Sequence, residues 1–344
     1  MPAFVSRAIR SLLRQAKRML CATRAGRSLL HDLNNRDEFT SLLSHERMLA
    51  DRIRVDTYHE AIRRHVQPGQ TVIDLGTGTG ILALFAATRR PARIYALDHS
   101  DFIGVARKLA RHNRTDCIEF VGVNSRAFTP PEPVDMIIHE QIGDELLTEN
   151  MLDNLLDLKR RCLKPGGRIL PAVFELFLEP VQLFSDRRIP FLWEQPVHGI
   201  DFSILRDDPQ VERFKPPDYG CCLLEPSSVE TLLCAPRPVL RLDLNHMDSP
   251  DQLDKRIDVA KTTCRGGRMD GLMLYFRVVF DDHLAFDTSP LSAGTHWRSR
   301  LFRTPARQLA VGEKIEFELG LTDPADVHSW TFEIKPPVDR PVPE

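Results

Sequence analysis

The chain has 344 residues, 42% hydrophobic and 27% charged, and its 46 Lys and Arg against 48 Asp and Glu give a formal net charge of −2. That length accommodates two ordinary domains with a full core, and the balanced charge argues against a nucleic-acid footprint. Seven cysteines without CxxC spacing argue against a metal site or a disulfide framework and suit a reducing, cytoplasmic compartment, and no apolar run approaches the ~18 residues of a membrane span.

Residues 1–31 carry Arg7, Arg10, Arg14, Lys17, Arg18, Arg24 and Arg27 but no acid, interleaved with Phe4, Val5, Ile9, Leu12, Leu13, Met19 and Leu20. The pattern predicts a basic amphipathic helix, either an extension packing on the protein or its substrate, or a transit or membrane-surface segment. Helical spacing from Leu49 to Val66 ends at QPGQ, and the strand TVIDLG follows. A glycine turn and a helix come next, then strand RIYALD, helix FIGVARKLARHN, strand IEFVGV and strand VDMIIHE. The helix ENMLDNLLDLKRRCLKPGG closes the unit, with Leu152, Leu155 and Leu156 on one face and Pro165-Gly166-Gly167 as its stop. This alternation predicts a doubly wound, Rossmann-like parallel sheet over residues 32–171.

Beyond Leu170-Pro171 the runs AVFELFLEPVQLF, VLRLDLNH, LMLYFRVVF, KIEFELGL and SWTFEIK alternate in period two. They predict a mostly antiparallel, β-barrel-like domain over residues 172–344. About residues 188–226, rich in proline, charge and aromatics, fit neither period and read as an inserted arm.

The turn GTGTG places Gly76, Gly78 and Gly80 as GxGxG, without the GxGxxG spacing of the dinucleotide fingerprint. Free N–H groups at a helix N-terminus favour an anion, here the carboxylate of an amino-acid-like cofactor, and S-adenosylmethionine (AdoMet) fits. Asp98, ending the second strand, is placed to accept bonds from both ribose hydroxyls, and Asp74 to anchor the cofactor's ammonium or the turn itself. A plain tight bend and a nicotinamide site are the alternatives; no hydride-transfer residue supports the latter. In HEQIGDELLTENM, Glu140 and Glu149 bracket a loop after the fourth strand. A guanidinium is planar, five-donor and permanently charged, so two acceptor-only groups can hold and polarise it.

From about His45 to the C-terminus the chain resembles the protein arginine methyltransferase family. HERMLADRIR resembles its N-terminal helix segment, VIDLGTGTGIL its first AdoMet motif, HEQIGDELLTENML its double-glutamate loop and GTHWRSRLF its threonine-histidine-tryptophan loop. The resemblance implies that Arg54 holds the AdoMet carboxylate with His45 nearby, that Asp98 takes the ribose, and that Ser125 and Arg126 align near the adenine. It implies Glu140 and Glu149 as the guanidinium clamp, with Met48 and Met151 packed around the arginine. His296 and Trp297 fall in the loop closing the substrate pocket, and His296 pairs with Asp51. Asn35, Arg36 and Phe39 stand where the family's tyrosine lid motif lies, and HEQIG replaces a serine before the first glutamate and tryptophan-methionine after it. The implied activity is AdoMet-dependent N-methylation of arginine in proteins or peptides, giving monomethyl and asymmetric dimethyl products, by a homodimer formed through the arm. Methylation of free arginine or another small guanidine, and a non-catalytic AdoMet-binding scaffold, are the competing readings.

Overall fold

A computed structural model describes residues 26, 41–216 and 219–335; the basic extension, residue 26 apart, and the positions of Asn35, Arg36 and Phe39 lie outside the described residues. The helical pattern around residue 50 is two helices, α1 (Leu42–Ala50) and α2 (Arg52–His65), and not one continuous helix from Leu49. The break is at Asp51, whose φ of −71° and ψ of 92° leave the helical region while its carboxylate accepts the Arg54 N–H. Aspartate favours such a position because it satisfies an orphan amide and faces the positive end of the helix dipole.

The chain then alternates through β1 (Thr71–Leu75), α3 (Ile81–Ala87), β2 (Arg93–Leu97), α4 (Ile103–His112), β3 (Ile118–Val121), β4 (Val134–His139), α5 (Met151–Cys162) and β5 (Leu163–Leu170). The strands form one parallel sheet in the order β3-β2-β1-β4-β5. Helices on both faces make its inner strands continuously apolar, with Val72, Ile73, Ile94, Ile137 and Ile138 wholly buried. The strand order reverses between β1 and β4, so a crevice opens at their C-terminal ends. The glycine turn and Glu140 stand at those two ends.

The helix stop expected at Pro165-Gly166-Gly167 falls earlier, at Cys162, and a fifth strand follows at once. Val134 pairs with Leu163 and Met136 with Arg168, so the proline and glycines bulge from the sheet edge, where a missing N–H is harmless.

The second half is antiparallel: β6 (Val173–Leu183), β7 (Cys221–Leu224), β8 (Val229–Leu232), β9 (Leu240–Asp243), β10 (Arg256–Thr262), β11 (Gly267–Asp281), β12 (Leu284–Asp287), β13 (Ser299–Leu309), β14 (Lys314–Leu321) and β15 (Trp330–Ile334). One sheet runs β7-β13-β11-β6-β8, with β12 on β11 and β9 on β6, and a second runs β10-β14-β15. The two sheets are barrel-like without closing. Between β6 and β7, a mostly irregular segment contains the short helix α6 (Pro209–Glu212) and exposes Ile189, Val197, Ile200, Ile204 and Phe214.

One core cluster spans both halves, joining Ile73 and Ile137 to Phe174, Phe276 and Phe317. Lys159 of α5 adds a polar clasp, its ammonium donating to the carbonyls of Leu244 (3.2 Å), Asn245 (2.8 Å) and Met247 (2.7 Å) beyond β9. Among the described residues no helix is long and apolar enough to cross a membrane.

Candidate active site

The glycine turn is built for close approach. Gly76, Gly78 and Gly80 have φ of 71°, 52° and 83°, a region L side chains avoid. A Cβ on Gly78 would come within 3.0 Å of the His45 ring, and that ring stacks on Phe102 at a centroid distance of 3.8 Å. The turn therefore lies beneath a two-ring roof.

Asp98 faces the turn. Its Oδ2 accepts the Gly78 N–H at 2.9 Å and its Oδ1 accepts the Ser100 N–H at 2.8 Å and hydroxyl at 2.7 Å. Each carboxylate oxygen has two lone pairs, so with three bonds accepted one site, on Oδ2, remains for a ribose hydroxyl. Asp74 is wholly buried and anchors the turn, one oxygen accepting the Thr77 hydroxyl at 2.5 Å and the Ala83 N–H at 3.1 Å. Burial pushes its carboxyl up to about 7, because those two bonds only partly offset the loss of water. These contacts use one Asp74 oxygen for the turn, and the other, Oδ1, is buried without a hydrogen-bond partner. Ser125 and Arg126 lie in the turn after β3: the Ser125 carbonyl accepts from Arg161 and the Arg126 guanidinium donates to Asn154.

Arg54 is 6% exposed and turns its guanidinium onto Glu140, with Nε at 3.0 Å and Nη2 at 2.5 Å from Oε2. Its Nη1 donates to the Met48 carbonyl at 3.0 Å, and Glu140 Oε1 accepts the Ile142 N–H at 3.2 Å. Burial works against the Arg54 charge, and Glu140 outweighs it, leaving the guanidinium more basic than usual. Two Arg54 donors remain for a cofactor carboxylate.

Glu149 comes back beside Gly143 because the loop folds on itself. The Leu146 N–H bonds the Gly143 carbonyl at 2.9 Å, Leu146 and Asn150 take positive φ of 68° and 53°, and the space a Cβ would fill at Gly143 is taken by Thr148 Oγ1, with Glu149 Cγ nearby. Asp51, the cap of α2, accepts the His296 main-chain N–H at 2.9 Å and contacts its Nδ1 at 2.8 Å, both through Oδ2. Burial tends to raise the Asp51 carboxyl, yet the bonds from His296 and the Arg54 N–H prevail and hold it below its ordinary value.

Trp297 and Met151, two residues expected at the substrate, are both buried. Trp297 is 3% exposed, stacked on Phe286 and set edge-on to Phe276, and its indole N–H donates to the Ile142 carbonyl at 2.7 Å. A large ring gains most by entering the core once its N–H has a partner, so Trp297 braces the glutamate loop from behind. Met151 is likewise wholly buried at the first turn of α5, whereas Met48 is half-buried beside Arg54.

Sequence reasoning overlooked two further ties: Arg298 to Asp144 (3.1 Å) and Arg300 to Glu145 (2.6 Å). The available signal was charge of opposite sign at matching places in two motifs, HEQIGDELLTENM and GTHWRSRLF.

This architecture, a glycine turn with an acid on the neighbouring strand of a doubly wound sheet, suits a nucleoside cofactor, and residues 72–167 match the methyltransferase domain family, which makes the class that of an AdoMet-dependent methyltransferase. Residues 174–330 match the arginine methyltransferase oligomerization subdomain. Protein arginine N-methyltransferase 1 of Dictyostelium discoideum is 30% identical over 278 residues, covering 77% of each chain. Protein arginine N-methyltransferase 6 of Danio rerio is 29% identical over 300 residues, covering 83% of each. Among solved structures, the Trypanosoma brucei PRMT1 enzyme-prozyme heterotetrameric complex with AdoHcy superposes with a TM-score of 0.70 at 24% identity, over 82% of this chain and 88% of that one. Arabidopsis thaliana protein arginine methyltransferase 10 gives a TM-score of 0.67 at 25% identity, over 83% and 89%. The chain belongs to the protein arginine N-methyltransferase family, whose reaction moves a methyl group from AdoMet to an arginine guanidinium.

Proposed function

We propose that this protein methylates arginine in protein substrates, with Glu140 and Glu149 holding the guanidinium and the Asp51–His296 pair receiving the proton released. The observation that carries this reading is the Arg54 guanidinium seated on Glu140, beside a glycine turn whose shape a single Cβ would spoil. AdoMet, when bound, supplies a methyl carbon activated by the adjacent sulfonium. The free donors of Arg54 suit its carboxylate, Asp98 its ribose, and the His45–Phe102 roof covers the turn.

Two carboxylates draw the positive charge of a substrate guanidinium toward the nitrogens they hold and leave the third nitrogen richer in electrons. Holding the reactants in a near-attack arrangement removes about 7–11 kcal/mol of the barrier. Substrate and product are both cations, so one proton must leave. Asp51 fixes the His296 tautomer with the proton on Nδ1 and leaves Nε2 as the acceptor.

The chain works as a homodimer, for which the exposed apolar side chains between β6 and β7 and the match to an oligomerization subdomain speak. A monomer at micromolar concentration in sedimentation would contradict this. The six described cysteines are free thiols, in keeping with a cytoplasmic setting that imaging of the tagged chain would test. Mass spectrometry of arginine-rich proteins after incubation with labelled AdoMet should show monomethyl and asymmetric dimethyl arginine. Label confined to free arginine would replace the substrate, and absence of transfer would reduce the protein to a scaffold.

A further inference from the structure

The segment carrying His296 is laced to the glutamate loop by three successive ties: Trp297 to Ile142, Arg298 to Asp144 and Arg300 to Glu145. The third differs in depth. Arg298 is half exposed, whereas Glu145 is 5% and Arg300 8% exposed, with Nε and Nη2 each at 2.6 Å from the same carboxylate oxygen. Arg300 Nη1 also reaches Cys221 Sγ at 3.4 Å, at the start of β7. The other Glu145 oxygen accepts the Thr148 hydroxyl at 3.1 Å, and Thr148 immediately precedes Glu149. A side chain at Gly143 would expel that hydroxyl, so the loop is tightly folded at this point.

An ion pair at this depth loses hydration that an apolar pair would not have to surrender, so its use is direction rather than adhesion. We propose that Glu145 and Arg300 are a positioning pair that, through Thr148, sets where Glu149 presents its carboxylate to the substrate guanidinium. The proposal rests on the reading of the reaction given above. Neither residue touches substrate. The Glu149 end of the loop is thereby fastened to β13, the strand that follows His296.

The test uses the full chain carrying Glu145→Gln, Arg300→Met, Arg300→Lys or Thr148→Val, with methylation of an arginine-rich peptide, AdoMet binding by calorimetry, and amide exchange over residues 140–150. Glu145→Gln and Arg300→Met should lower kcat/KM for the peptide by about 10- to 100-fold, since small misplacements of a positioned group cost this much. AdoMet affinity should hold within about threefold, and the loop amides should exchange faster. Arg300→Lys should recover only part of the rate, because one ammonium lacks the guanidinium fork. The double variant should be no slower than the slower single one. Thr148→Val keeps the buried pair and should still lower turnover.

Wild-type turnover per folded molecule in Glu145→Gln or Thr148→Val would overturn the proposal, as would loop exchange unchanged in both. Should the ion-pair variants fail to fold, Thr148→Val decides alone. A wild-type chain that binds AdoMet yet methylates no guanidine would defeat the reading of the reaction, while amide exchange would still judge the pair.

Discussion

Asp51 and His296, 245 residues apart in sequence, share one carboxylate oxygen: Asp51 Oδ2 meets both the His296 main-chain N–H and its Nδ1, while Oδ1 caps α2 at the Arg54 N–H. A single side chain thus starts the helix carrying Arg54 and orients the His296 ring.

Asp51→Asn should therefore lose on two measurements. Turnover should fall by ~10²–10⁴-fold if His296 receives the proton, the range for a positioned acid–base group. Urea titration should show a further loss of about 1 kcal/mol from the weakened cap. His296→Ala should reproduce the first loss with little of the second. Full turnover in His296→Ala would leave the ring an architectural part.

The two glutamates should behave differently from one another. Glu149→Gln should cut turnover and leave AdoMet affinity near wild type. Glu140→Gln should also strip the buried Arg54 of its counter-charge, and thermal unfolding should show a loss approaching the ~3–5 kcal/mol seen when one member of a buried pair is removed. Equal thermal stability in the two variants would mean that Arg54 finds another partner.

Two buried groups at the ends of neighbouring strands should pull the pH profile of stability in opposite directions. Asp74, held near 7 against an ordinary 3.8, keeps a proton that the unfolded chain has released, so its contribution falls as pH rises through that window. His139 of β4 is pushed by burial from 6.5 to about 4, only partly offset by its bond to the Pro171 carbonyl, and stays neutral where the unfolded chain is protonated. Its contribution is complete above 6.5 and is lost as pH falls toward 4. Denaturant titrations between pH 4 and 7 should give a steeper acid loss for Asp74→Asn than for wild type, and a shallower one for His139→Gln. Parallel profiles for all three would show that neither group titrates as described.

Lys159→Met should destabilise the fold by about 1–3 kcal/mol, because three carbonyls lose a shared charged donor. Lys159→Arg should not restore it, since a planar fork cannot meet three acceptors arranged around a point charge. Chemical denaturation measures both.

Much of the first half was legible because parallel strands and their helices carry strong local patterns: VIDL, IYAL and DMIIH read as strands from their composition alone. What stayed hidden was set by distant partners. The break at Asp51 depends on a cap, and the fifth strand on an edge that tolerates Pro165. In the site, Glu140 and Glu149 were readable from their motif, but the Arg54 contact with Glu140 joins residues 86 apart and left no local trace. Trp297 was read from its motif as a pocket residue, whereas the partner of its N–H lies 155 positions earlier.

The ties from Trp297, Arg298 and Arg300 to the glutamate loop reach back across more than 150 residues of intervening chain. The wall of the glutamate loop is therefore finished only when the late strand β13 is in place, so the acceptor side of the site depends on nearly the whole length of the chain.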